Sequence, residues 1–292
     1  MNTYNKFISL LLLTSLLFSQ IELSKTTQEE QIIYHAGFTL SYNETHEQAS
    51  WVAYELTASE LIKKVNRSNN FKKDPKVKTG SALPSDYLRS GYDRGHLAPA
   101  ADLSWSQATM KESFYMSNMS PQKPGFNRGI WKKLESYVRR WADDNKSIYV
   151  VTGGVLSSVQ TSIGESSVGI PSYYYKVILD YSQPEIKGIG FILPNTSSSR
   201  PVQNFAVSID EVERRTGIDF FYNLPDIDEQ KIESTFNVSD WTFKGYTGSS
   251  HSIMSPLNLG DPLKNSLNQM FPKKATTQCL GTTKKGLRCK NK

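Results

Sequence analysis

The stretch Phe126–Asp144 constrains the fold more than any other part of the chain. Trp131, Leu134, Val138 and Trp141 recur at spacings of three and four, which sets four large apolar side chains on one stripe of a helix. Such a stripe has to be laid on a broad apolar surface, and the flanking sequence supplies one. Phe38-Thr39-Leu40-Ser41-Tyr42 alternates as a half-buried strand does, and Trp51–Leu56 reads as its hairpin partner. Ile148–Thr152 is a strand stopped by Gly153-Gly154, and Tyr173–Leu179 and Gly188–Leu193 are two more, the second ended by Pro194. Thr57-Ala58-Ser59-Glu60 has the capping-box pattern and predicts a short helix through Val65. Ser208–Thr216 predicts another, with Ser208 and Glu211 as its box and Gly217 just past its end. Tyr87–Gln122 shows no helical periodicity. The elements do not alternate as βαβ units, so the expected class is α+β, a mainly antiparallel sheet with flanking helices.

The ends differ from this body. Lys6 precedes Phe7–Phe18, an apolar run of 12 residues, short for a bilayer span but suited to a signal peptide. Residues 1–22 are therefore read as an export signal, with an uncleaved anchor as the alternative. Export to the periplasm or the exterior is expected, with no stable membrane insertion after processing. Residues 23–246 form the main domain, 247–271 a linker and 272–292 a basic tail. The formal charge of +6 comes from that tail, whose seven basic and no acidic residues, set aside together with Lys6, leave 26 basic against 28 acidic, about −2, on residues 7–271. Bulk charge therefore gives the main domain no nucleic-acid footprint, and any footprint must be local. Hydrophobic content of 38% and charged content of 21% exclude a collagen, a coiled coil or wholesale disorder. The two cysteines, Cys279 and Cys289, both lie in the tail, so the main domain folds without a covalent staple. A disulfide between them suits an oxidising exterior. Half a zinc site is the alternative, short of the four ligands a closed site takes.

Chemistry concentrates in two blocks. Asp93-Arg94-Gly95-His96 places an imidazole, the side chain best suited to proton abstraction near neutrality, between predicted elements. His35, His46 and His251 stand alone in polar sequence and read as surface residues. In the second block, Asn127, Trp131, Glu135 and Arg139 fall at i, i+4, i+8 and i+12, so an amide oxygen, a carboxylate and a guanidinium share one helical face. Those groups suit a hard cation, a water bound to it and a phosphate. Taken alone, the same face reads more simply as an exposed Glu135–Arg139 ion pair with Asn127 capping the helix.

Together the blocks change that balance. Asp-Arg-Gly-His, then Ser117-Asn118-x-x-Pro121-Gln122, then Asn127-x-Gly129-x-Trp131-x-x-Leu134-Glu135 resemble, in order and spacing, the DNA/RNA non-specific endonuclease family. That family includes secreted bacterial nucleases and mitochondrial endonuclease G, and it uses the ββα-metal (His-Me finger) site. The resemblance covers roughly residues 35–245 and includes Tyr149–Gly153, Tyr175-Lys176-Val177 and Thr216–Phe221. It implies His96 as general base and Asn127 as the single protein ligand of a divalent metal, Mg²⁺ in the first place, with Mn²⁺ or another divalent cation as alternatives. Glu135 is implied to fix metal-bound water, and Arg139 to stabilise charge on the phosphorane. Arg94 is counted with the catalytic group, Asp93 and Asn118 position their neighbours, and Arg67 contacts phosphate. DNA and RNA are the implied substrates, cut to 5′-phosphate products without use of a 2′-hydroxyl, and a homodimer is allowed. Two rival readings are a secreted phosphodiesterase acting on small phosphoesters and a non-catalytic nucleic-acid-binding relative.

Overall fold

Residues 21–27, 30–182 and 185–248 are described by the computed structural model. The signal segment up to residue 20, most of the linker, and the tail with its two cysteines lie outside the described residues. Within them the strands are β1 (Gln31–Tyr34), β2 (Thr39–Asn43), β3 (Gln48–Thr57), β4 (Asp93–His96), β5 (Met119–Gln122), β6 (Ser147–Gly154), β7 (Ser162–Ile163), β8 (Val168–Gly169), β9 (Tyr173–Asp180), β10 (Lys187–Pro194) and β11 (Ala206–Val207). The α-helices are α1 (Gln107–Ser113), α2 (Lys132–Asn145), α3 (Ile209–Thr216) and α4 (Asp226–Ser234). Seven strands form one sheet in the order β1-β2-β3-β6-β9-β10-β11, antiparallel at every step. The fold is the expected α+β.

Both faces of this sheet are covered, and alternation along each strand sorts its side chains between them. Val52, Tyr54 and Leu56 of β3 join Leu134, Val138 and Trp141 of α2 in one core. Trp51 and Ala53 turn the other way, toward Ile209 and Val212 of α3 and Ile232 of α4. On β9, Tyr174 and Ile178 face α2, whereas Tyr175, Val177 and Leu179 face α3 and α4. Lys176, fully buried, lies between the first two on the pleat and so shares the α2 face.

Several local expectations are altered by long-range contacts. The Thr57 N–H does bond Glu60 Oε2 at 2.9 Å, but the helix through Val65 does not propagate. The Lys64 and Val65 N–H groups go instead to the Ser104 carbonyl, at 2.9 and 3.0 Å. Helix α1 forms inside the stretch without periodicity; it is seven residues long and started by Ser106, whose side chain accepts from the Thr109 N–H. His35 is not a surface histidine. Its side chain is buried with Nε2 3.0 Å from Asp74 Oδ2, an oxygen that also accepts from Ser117. Among the described residues no helix is long and apolar enough to cross a membrane.

Candidate active site

Strands β4 and β5 stand apart from the large sheet as an antiparallel pair, with Asp93 opposite Gln122, Gly95 opposite Ser120 and His96 opposite Met119. The chain then passes through a wide π-type turn, Phe126–Trp131, into α2, completing a ββα unit. Gly95 is needed for closeness: a Cβ there would sit 2.2 Å from Gln122 Cδ. The expected helix from Phe126 is thus two pieces, kinked at Gly129 (φ −102°, ψ −111°). Asn127 lies on the turn and not on α2 proper. Trp131, fully buried, drops out of the functional face.

One cleft of about 400 Å³ gathers Arg67, Arg94, His96, Asn127, Glu135 and Arg139, with Arg128 and Lys132 at its side. Asp93 and Asn118 support it from behind. Asn127 Nδ2 donates to Asp93 Oδ2 at 2.8 Å, and Arg128 donates to both Asp93 oxygens, at 2.8 and 2.6 Å. The amide nitrogen is thereby engaged, leaving the Asn127 carbonyl oxygen for a ligand. Burial pushes the Asp93 carboxyl up, but the bonds from Arg128 and Asn127 outweigh it and hold the group below its ordinary range. Asn127 is therefore no simple helix cap. Buried Asn118 accepts from the Ala98 N–H at 2.9 Å and donates to the carbonyls of Ala98 and Ser113 at 3.0 and 2.9 Å. The chain leaving His96 is pinned by these bonds to the end of α1.

His96 is 8% exposed, and its Nε2 is buried without a hydrogen-bond partner. The imidazole meets the ring of Phe114 edge-on at 4.8 Å and that of Phe71 at 5.8 Å. Burial, helped by the nearby Arg67 cation, pushes its pKa down to about 3. The ring is therefore neutral at physiological pH, the form that can accept a proton. The same two phenyl rings carry the arginines beside it, Arg94 over Phe71 at 4.3 Å and Arg67 over Phe114 at 4.9 Å.

Arg139 does not pair with Glu135 as a surface i, i+4 pair would. It donates to Asp102 Oδ1 at 2.8 Å, while Tyr54 donates to Asp102 Oδ2 at 2.9 Å. Burial pushes the Glu135 carboxyl up, against the pull of Lys176 and Arg139. Phe71, Phe114 and Asp102 were not singled out from the sequence, and Lys176 entered only within the family-like stretch Tyr175-Lys176-Val177, with no role given to it. For Lys176 a signal existed, a lone cation inside an apolar strand; for the other three, residue type and spacing carry none.

Residues 20–227 match the DNA/RNA non-specific endonuclease family. The chain is 33% identical to the mitochondrial nuclease EXOG of Danio rerio, over 70% of this chain and 64% of that protein. It is 38% identical to nuclease C1 of Cunninghamella echinulata var. echinulata, over 64% of this chain and 81% of that one. Among solved structures, that of the EndoG/EndoGI complex superposes with a TM-score of 0.64 at 34% identity, covering 68% of this chain and 88% of that one. The expectation of export is corrected by these relatives. The EXOG nuclease of Danio rerio and endonuclease G of Bos taurus are mitochondrial, which points away from a periplasmic or extracellular protein. A short apolar run behind one lysine measures hydrophobicity, whereas an address is read by a receptor, so the run did not fix the destination. With its ββα unit, its cleft, the match over residues 20–227 and the likeness to the EndoG/EndoGI structure, the chain belongs to the DNA/RNA non-specific endonuclease family.

Proposed function

We propose that this chain is a divalent-metal-dependent endonuclease that hydrolyses phosphodiester bonds of DNA and RNA to 5′-phosphate products. The observation that carries the reading is the convergence, in one cleft, of a neutral buried imidazole, a free amide oxygen and four guanidinium groups. The family is generally dependent on divalent metals, and the donor set here fits a hard cation. Asn127 would hold it through its carbonyl oxygen and Glu135 would do so through a bridging water, a ligand poverty suited to Mg²⁺, which keeps much of its hydration shell. Once bound, the ion supplies charge neutralisation at the scissile phosphate and its leaving oxygen.

The remaining steps belong to the chain. His96 takes a proton from the attacking water, and its depressed pKa keeps it unprotonated and ready. Arg139, held by Asp102, offers its guanidinium to the phosphorane oxygens. Arg67 and Arg94 hold flanking phosphates from their phenyl seats. Contacts made to phosphates carry little sequence information, and hydrolysis by water makes no use of a ribose 2′-hydroxyl, so both nucleic acids are accepted.

The test is incubation with supercoiled plasmid and with a structured RNA, with Mg²⁺ and with EDTA. Relaxation and then degradation of both, abolished by EDTA, is expected; no cleavage with any divalent metal would refute the proposal. His96→Ala should lower kcat by about 10²–10⁴ with DNA binding near normal. Turnover of a small chromogenic diester in place of polymer would support the phosphodiesterase reading instead.

A further inference from the structure

Beside the cleft lies a second hollow of about 280 Å³, and the two share a wall: Arg67, Arg139 and the Ala100-Ala101 pair line both. Its chemistry differs from that of the cleft. Leu61, Val65, Ala100 and Met110 give it an apolar interior, and no carboxylate among the described residues lines it. Its polar lining includes three cations, Lys63, Arg67 and Arg139, together with half-buried Tyr246. Segments far apart in sequence close round this one space. The Lys64 and Val65 N–H groups bond the Ser104 carbonyl at 2.9 and 3.0 Å, and the Tyr246 N–H bonds Ser136 Oγ at 3.0 Å. Arg67 stands at the boundary with the cleft. Its guanidinium lies over the Phe114 ring and donates through Nε to Asn69 Oδ1 at 2.8 Å, which leaves its two terminal nitrogens for an anion.

We infer that this hollow is a nucleobase subsite: when a strand lays a phosphate on Arg67 and Arg139, an unstacked base next to that phosphate enters the apolar space. The occupant follows from the two kinds of lining. Cations shared with the cleft call for an anion at the boundary, and the apolar interior calls for an uncharged body attached to it. A nucleotide unit has both parts, joined through its sugar. The size agrees, since small-molecule sites run to about 300–1,000 Å³ and a hollow of about 280 Å³ takes one ring system. Apolar walls touch a base through its face, which every base has, so the subsite adds affinity without reading sequence. It favours nucleic acid whose bases are already unstacked, because a duplex has to give up stacking to fill it. This inference rests on the reading of the cleft as a phosphodiester site.

The experiment titrates the metal-free full chain, in EDTA, with deoxyadenosine 5′-monophosphate and with its abasic tetrahydrofuran 5′-phosphate analogue, followed by NMR at the methyl groups. The nucleotide should bind about tenfold tighter or better and should shift the Leu61, Val65 and Met110 methyls, which the abasic analogue leaves in place. Val65→Trp fills the hollow and should bring the nucleotide down to the affinity of the analogue, with the affinity of the analogue itself unchanged. The comparison of the two ligands on the wild type needs no substitution and decides the matter even where that variant does not fold. Equal affinities would overturn the proposal. So would nuclear Overhauser contacts, in the free chain, between residues after 248 and the Val65 or Met110 methyls, since the occupant would then be the chain's own end. If the nucleotide were preferred at these methyls but neither plasmid nor RNA were cleaved, the subsite would stand and the nuclease reading would fall; cleavage with equal affinities would do the reverse.

Discussion

Asp93 grips two neighbours at once, and the consequence is felt one atom further on. By holding the Asn127 amide nitrogen and the Arg128 guanidinium it fixes which way the Asn127 oxygen points. Asp93→Ala should therefore raise the Mg²⁺ concentration needed for half-maximal cleavage about 10–100-fold, as loss of a ligand's supporting partner does. A Mg²⁺ titration of activity measures it, and an unchanged requirement would show that the latch does not serve the metal. His96 makes a second prediction, about stability and pH. Its pKa is about 3 in the folded state and about 6.5 in the unfolded chain, so between those values only the unfolded chain takes up the proton. The resulting contribution is full above pH 6.5 and is lost as pH falls toward 3. His96→Phe should accordingly lose less stability than wild type between pH 6.5 and 4, in denaturant melts at several pH values. His96, Asn127, Glu135 and Arg139 were picked out of the sequence through the family-like motifs, and folding brings all four to one cleft, though only Glu135 and Arg139 lie on the helix proper. Asp102 and the two phenyl seats were not picked out, since each comes to the cleft from a separate segment by folding alone.

At the scale of elements, the β4–β5 pair stands or falls on one close approach. Gly95→Ala puts a methyl where the buried Gln122 side chain lies, and overpacking of this kind costs about 1–3 kcal/mol. The cost should shrink in Gly95→Ala/Gln122→Ala, because the two residues compete for one space. Additive losses in a double-mutant cycle of thermal melts would show that the clash is not the cause. The long strands of the large sheet and the apolar stripe of α2 were readable because burial imposes a period on them. The four-residue strands β4 and β5 were not, since so few residues carry no period and Pro121 in β5 speaks against a strand. The helix read from Phe126 onward was right from Lys132, and the turn before it escaped notice because Asn127 and Trp131 keep a helical spacing in sequence.

At the scale of the molecule, the seven positive charges after residue 271 follow every candidate catalytic residue in sequence. A chain ended at residue 271 should bind DNA less tightly and with a flatter salt dependence, at unchanged kcat on saturating DNA, because counterion release counts charges and not folds. Filter binding at several salt concentrations decides it; an unaltered slope would exclude the tail from binding. The body that remains carries about −2 over residues 7–271, yet five cations and a single carboxylate line the cleft. An object negative overall and positive in one hollow has a large electric moment, so a polyanion exerts a torque on it as well as a pull. The body would arrive at nucleic acid already turned mouth-first, and the rest of its surface would resist adsorption, leaving the enzyme free to detach and turn over.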